Sequence, residues 1–217
     1  MMRRLDKMSP ITRFLQAAIA AGLLTGCQQG PIASRDYEPH DGDVIFQSFP
    51  LNPLTATIES VTQSGLSHCG IVHRKGSQWI VLEAVGPVKE TPLAEWTSRG
   101  RNGRYAAFRL KPEYQPQIPE FLKAAYAYSG RHYDIHYQFG DDAIYCSELV
   151  YNSFKSATGE DLGRVQKLGE LNWRPNVEFI KGIENGTVPL DRRMITPIAV
   201  ARASQLDLVF SNYESRK

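Results

Sequence analysis

The segment Ser67-His68-Cys69-Gly70-Ile71-Val72-His73-Arg74-Lys75-Gly76-Ser77-Gln78-Trp79-Ile80-Val81-Leu82-Glu83-Ala84-Val85 holds two runs rich in β-branched and aliphatic residues around a short polar stretch. That pattern predicts two strands joined by a tight turn. A hairpin centred on Lys75-Gly76 sets residue 68 opposite residue 83, so His68 is expected to face Glu83. Directly opposed side chains lie about 4.5–5.5 Å apart at Cβ, close enough for an imidazole–carboxylate hydrogen bond. Such a bond fixes the ring tautomer and stabilises its charged form. The competing reading is an exposed cross-strand ion pair. Against it, Ile71, Val72, Ile80, Val81 and Leu82 make both faces of the hairpin apolar, and a buried polar pair needs a reason.

Adjacent strand residues point to opposite faces, so Cys69 is expected to turn away from the cleft that His68 faces. It then reads as a small buried hydrophobe, not as a nucleophile or a disulfide partner. His73 falls on the face opposite His68. His40, His132 and His136 have no partner in sequence and read as solvated or structural.

Outward from the hairpin, residues 43–47 and 105–110 read as further strands. Residues 119–128 and 143–157 read as helices, the second closed by Gly159. Beyond it the chain is less legible, with Trp173, Pro175, Pro189 and Pro197 marking surface excursions before an apolar stretch at 198–210. Strands and helices in blocks, without βαβ alternation, predict an α+β fold with an antiparallel sheet. Cys146 lies where the polar Asp141-Asp142 gives way to a helical apolar pattern, which places its thiol near a helix N-terminus. The positive dipole end there favours the thiolate, the nucleophilic form. The Cys146 backbone N–H could also donate to an oxyanion. Taken alone, a cysteine near a helix start is usually a packed small residue.

The chain begins with Arg3, Arg4, Lys7 and Arg13 against a single acid, Asp6, followed by an apolar run from Phe14 to Leu24. That is the arrangement of a secretory signal peptide, and the run is well short of the ~20 residues needed to span a bilayer. It ends in Leu24-Thr25-Gly26-Cys27, which resembles a bacterial lipobox, so residues 1–26 are expected to be removed and Cys27 lipidated. Gln28 after the cysteine points to the outer membrane, facing the periplasm. Residues 27–40 read as a polar tether and 41–217 as the folded domain. The formal charge of +2 becomes about −1 without the leader and leaves no basic block, which argues against a nucleic-acid partner.

Five stretches then stand out in order: Asp41-Gly42-Asp43-Val44-Ile45-Phe46, Ser67-His68-Cys69-Gly70-Ile71-Val72, Leu82-Glu83-Ala84-Val85, Gly130-Arg131-His132-Tyr133-Asp134 and Ile144-Tyr145-Cys146-Ser147-Glu148-Leu149-Val150. From about Asp41 to Gly159 the set resembles the permuted papain-like amidases, the YiiX/YaeF-like branch related to NlpC/P60 peptidases. In these the strand histidine precedes the helix cysteine, the reverse of papain. The resemblance implies a papain-like antiparallel sheet packed on a nucleophile-bearing helix. It also implies a thiol peptidase or amidase with Cys146, His68 and Glu83 as its triad. Cys69 departs from the aliphatic residue expected at its position. Tyr133 resembles the tyrosine that NlpC/P60 enzymes place beside their cysteine, an oxyanion donor; a packed aromatic is the alternative. Asp134, Asp141 and Asp142 read as turn and cap residues. No zinc spacing and no phosphate-binding glycine loop occurs, so no metal or cofactor is expected.

The substrate implied is a peptide or other amide, with peptidoglycan-derived peptides suggested by kinship and the envelope address. One rival is acyl transfer or acyl hydrolysis on lipids through the same thioester. Another is a non-catalytic binding protein, against which all three triad residues are present. The oligomeric state has no signal in the sequence.

Overall fold

The computed structural model describes residues 36–140 and 142–213. The leader, Cys27, most of the tether and Asp141 lie outside them. The strands are β1 (Val44–Gln47), β2 (His68–Lys75), β3 (Gln78–Ala84), β4 (Val88–Pro92) and β5 (Tyr105–Leu110). Two short pairs follow, β6 (His132–Tyr133) with β7 (Ala143–Ile144) and β8 (Gln166–Lys167) with β9 (Arg193–Met194), and then β10 (Leu206–Ser211). The helices are α1 (Pro53–Thr62), α2 (Leu93–Arg99), α3 (Ile118–Tyr126), α4 (Cys146–Thr158), α5 (Val177–Ile183) and α6 (Pro197–Ala201). Six strands form one antiparallel sheet in the order β10-β5-β1-β2-β3-β4. The fold is α+β, as the block order of elements predicts. No described helix is long and apolar enough to cross a membrane.

Period-2 alternation gives the sheet two buried faces. Val44, Phe46, Cys69, Ile71 and Leu82 meet Phe121 of α3 and Leu149, Val150 and Phe154 of α4 in the larger core. Ile45, Val72, Val81 and Ala107 meet Trp96 of α2 in a smaller one. The central strands therefore read as continuous apolar runs. Tyr37, ahead of β1, packs its ring on Tyr105 and Phe210 and donates its hydroxyl to Asp43 at 2.8 Å. Arg109 holds the same buried carboxylate through two nitrogens, at 2.8 and 2.9 Å.

The β2–β3 register corrects the sequence expectation. Lys75 pairs with Gln78 and Ile71 with Leu82, so the turn is Gly76-Ser77 and not Lys75-Gly76. The cause lies in Gly76, whose φ of 63° suits the first turn position, where a side chain would be strained. The pairing is thus displaced by two residues, and His68 is not directly opposite Glu83. A two-residue slip preserves the face, so the two remain diagonal neighbours on one side of the sheet. Gly70 makes the diagonal passable. A Cβ there would lie 3.3 Å from Glu83 Cβ, 2.9 Å from the Leu82 carbonyl and 2.4 Å from Val81 Cγ1.

Gly70→Ala should therefore force β2 and β3 apart and destabilise the domain by about 1–3 kcal/mol through overpacking. Urea unfolding measures it, and a change under 0.5 kcal/mol, roughly that of a neutral surface substitution, would contradict the close packing described.

Candidate active site

His68 opens β2 and is almost fully buried. Its Nε2 lies 2.6 Å from Glu83 Oε2, which leaves Nδ1 as the free ring nitrogen. Phe49 stacks on the imidazole with ring centres 4.4 Å apart, and Trp96 flanks it at 6.0 Å. The ring is thus fixed both in its plane and at its far nitrogen. Glu83 has no exposed surface and accepts from three further groups: Thr91 Oγ1 at 2.6 Å, Trp96 Nε1 at 2.9 Å and Arg99, which reaches both oxygens at 2.8 and 2.6 Å. Burial opposes its charge, but donation from His68, Arg99 and Thr91 wins and lowers its pKa to about 2. Thr91, Trp96 and Arg99 come from β4 and α2, elements that gave no sequence motif.

Cys146 is the first residue of α4, following Tyr145 in extended conformation. The turn is held from both sides of the cysteine by one partner. The Ile195 N–H donates to Tyr145 Oη at 3.0 Å, and Ser147 Oγ donates to the Ile195 carbonyl at 2.8 Å. Glu148, fully buried, accepts from the backbone N–H groups of Gly140 at 3.2 Å and Tyr145 at 3.5 Å. Burial raises its pKa to about 7. The helix ends at Gly159, which takes a left-handed φ of 79° and donates to the Lys155 carbonyl at 2.8 Å.

The Cys146 sulfur interacts electrostatically with both Cys69 and His68. Donation from Cys69 and from His68, acting against burial, holds Cys146 well below the ordinary thiol range. Burial by itself would depress His68, but Cys146 and Glu83 outweigh it and raise the imidazole to about 9. Both shifts favour a thiolate facing an imidazolium. Cys69 is buried and free, as the alternation argument requires, and it does lie on the face opposite Glu83. α4 packs on that same face, so Cys69 and Cys146 share the larger core.

Tyr133, paired in β6 with Ile144 just ahead of Cys146, donates to Tyr137 Oη at 3.5 Å. Burial raises both phenols, so each keeps its proton. Tyr137 holds a φ of 54°, uncommon for an aromatic residue, and packs edge-on against Tyr145. Asp134 is a turn residue, accepting from the backbone of His136 at 2.8 Å and Gln138 at 2.6 Å. His73 pairs with Asp41 at 3.0 Å and His136 with Glu184 at 3.2 Å. Alongside Cys146 runs a cleft open to solvent and walled largely by apolar side chains including Leu54, Ile58, Val61, Phe179, Ile183 and Met194.

Residues 38–210 match the family described as permuted papain-like amidase enzymes of the YaeF/YiiX, C92 type. The chain is 34% identical over 179 residues to the uncharacterized protein YiiX of Escherichia coli strain K12, covering 80% of this chain and 87% of that protein. The crystal structure of YiiX from Escherichia coli O157:H7, described as a metalloprotein, is similar with a TM-score of 0.77 and 33% identity. That match covers 82% of this chain and 100% of the other. Among the described residues of this chain, no group of three or more His, Cys, Asp or Glu side chains is arranged to hold a metal ion.

Glu83 sits at about 2 in the folded chain against an ordinary 4.5, so its contribution to stability is complete above about 4.5 and is lost as pH falls toward 2. Glu83→Gln should lose about 3–5 kcal/mol at neutral pH, the cost of breaking a buried ion pair. The difference from the unsubstituted protein should shrink below pH 4.5. Urea unfolding across pH measures this, and a gap independent of pH would contradict the ionised state assigned to Glu83.

Proposed function

Because the chain belongs to the permuted papain-like amidase family, we propose that it is a cysteine hydrolase of amide bonds, acting through a thioester on Cys146 with His68 as acid and base. The observation that carries this reading is the meeting of Cys146, at the start of α4, with a His68 ring already anchored on Glu83. The thiolate attacks the amide carbonyl, and charge develops on its oxygen. The Cys146 N–H, unpaired at the helix start, and the Tyr133 hydroxyl are the donors for that oxyanion. His68, charged before attack, gives its proton to the departing amine and leaves a neutral imidazole. That imidazole then takes a proton from water as the thioester is hydrolysed. Glu83 keeps the ring oriented and favours its charged form throughout.

Leu24-Thr25-Gly26-Cys27 supports a lipid-anchored place in the bacterial envelope, where peptidoglycan-derived peptides are the available amides. A second reading, acyl hydrolysis or transfer on a lipid-like substrate, is favoured by the apolar cleft beside Cys146. An aliphatic chain would bury its methylenes there at about 0.8 kcal/mol each, which a polar muropeptide could not match.

The test is a paired screen of the purified protein on muropeptides and on simple amides and esters of increasing acyl length. Cys146→Ala should abolish turnover and His68→Ala should lower it by roughly 10²–10⁴-fold, with folding intact by circular dichroism. Release of amine from muropeptides supports the amidase reading, and a rate climbing with acyl length at a fixed bond supports the lipid one. Full turnover by Cys146→Ala would reject both.

A further inference from the structure

The exit of β1 and the end of α2 interlock residue by residue. Gln47 ends the strand and Ser48 and Phe49 follow it; Arg99 ends the helix and Gly100 and Arg101 follow it. The Arg99 guanidinium lies 5.1 Å over the Phe49 ring and grips Glu83. Gly100 passes against Gln47, whose side chain is wholly buried. The Arg101 N–H donates to the Ser48 carbonyl at 2.7 Å, and its guanidinium donates to Ser48 Oγ and to Glu59 of α1. Ser48 Oγ donates to the same Glu59 oxygen, so strand, strap and helix meet at one point.

Arg99 and Phe49 act on the catalytic pair directly. One supplies the countercharge of Glu83, and the other stacks on His68 with ring centres 4.4 Å apart. Arg101 is bonded instead to the groups that decide where the strap lies. Ser48 precedes Phe49, and the Phe49 N–H donates to Ser67 Oγ at 3.1 Å, one residue ahead of His68. Glu59 stands in α1 between Ile58 and Val61, which line the cleft. A half-buried guanidinium shared by a carboxylate and a hydroxyl makes charge-assisted bonds, about twice as strong as neutral ones.

Gly100 sets how closely the strap lies on the sheet. Its φ of −60° is one that any residue adopts, so glycine is needed there for space and not for conformation. A Cβ would stand 2.5 Å from Gln47 Oε1 and 2.9 Å from the Arg104 carbonyl, which as backbone cannot swing aside as a side chain can. We propose that Arg101 is a positioning residue of the active site, which pins the 99–101 strap to β1 and α1 and thereby holds Arg99 on Glu83 and Phe49 on His68. This rests on the reading of His68 as acid and base and adds to it a residue outside the triad. A misplacement of about 1 Å in a reacting group can cost roughly 10²-fold in rate, so a remote contact that fixes the imidazole bears on catalysis.

The experiment is proton NMR of the full-length protein carrying ¹⁵N-labelled histidine. The His68 Nε2 proton, held 2.6 Å between buried heavy atoms, should give a far-downfield signal protected from exchange with water and absent in His68→Gln. Arg101→Met keeps the stem and removes the donors. Its signal should broaden beyond detection as the ring proton exchanges, while the backbone amides of β2 and β3 keep their protection. Gly100→Ala removes no side chain and should do the same by lifting the strap. Arg101→Lys retains a charge within reach of Glu59 and should keep the signal. Thermal melts establish which variants fold, and if Arg101→Met does not, Gly100→Ala against the unsubstituted protein decides. An unchanged signal in the folded variants would overturn the role of Arg101. So would a loss accompanied by faster amide exchange throughout the sheet, the mark of a merely structural contact. Iodoacetamide alkylation of Cys146 across pH, read by peptide mapping, tests the nucleophile separately. An ordinary thiol profile there would overturn the thioester reading and leave the His68 signal to judge the strap.

Discussion

The bond between His68 Nε2 and Glu83 Oε2, 2.6 Å long and closed to solvent, persists only because Glu83 has other donors. A lone carboxylate in that position would take up a proton, and the imidazole would lose its reason to be charged. Thr91 and Trp96 fill the remaining lone pairs, and Arg99 brings a countercharge. Arg99 in turn lies over the Phe49 ring at 5.1 Å, and Phe49 stacks on His68. The carboxylate, guanidinium, phenyl ring and imidazole thus close a loop of mutual contacts. Release of any member would loosen the histidine, which is why α2 and β4 matter to a site whose reacting atoms they do not touch.

On the other side of the sheet the constraint is one of placement. α4 must set Cys146 against the start of β2, and it is held there by packing along its length and by Ile195 at its first turn. That bracket joins Cys146 to the segment leading into α6 and so to the wall of the cleft, since Ile195, Thr196 and Pro197 all line it. What fills the cleft can thereby bear on the orientation of the thiol. The central strands hold Glu83 on one face and Cys69 on the other, and His68 at the start of β2 interacts electrostatically with Cys146.

Much of this was legible in order and little of it in distance. The strand at 105–110, the hairpin, the Gly159 stop and the helix carrying Cys146 follow from local pattern and hold in the structure. The His68–Glu83 contact was reached through a register two residues out, and it survived because the error preserved the face. For Cys69, alternation told which face it takes and that it is buried, but nothing local told which helix covers that face. α1 did carry a readable start, with Asn52 accepting from the Thr55 N–H at 2.9 Å and Pro53 at the first helical position. Trp96 and Arg99 had no such signal, since their value lies wholly in reaching a carboxylate more than a dozen residues back. The walls of the cleft come from α1, α5 and the segments around β9, far apart in sequence, and only the fold assembles them.

The central claim is that Cys146 carries the acyl group between attack and release. Intact-protein and peptide mass spectrometry after rapid acid quench, using an activated ester whose thioester hydrolyses slowly, reads this directly. The account predicts one acyl mass on the peptide containing Cys146, released by neutral hydroxylamine and accumulating to higher occupancy in Tyr133→Phe only if hydrolysis slows more than attack. Product formation with the acyl group on Cys69 or Ser147, or with Cys146 alkylated beforehand and turnover undiminished, would contradict it.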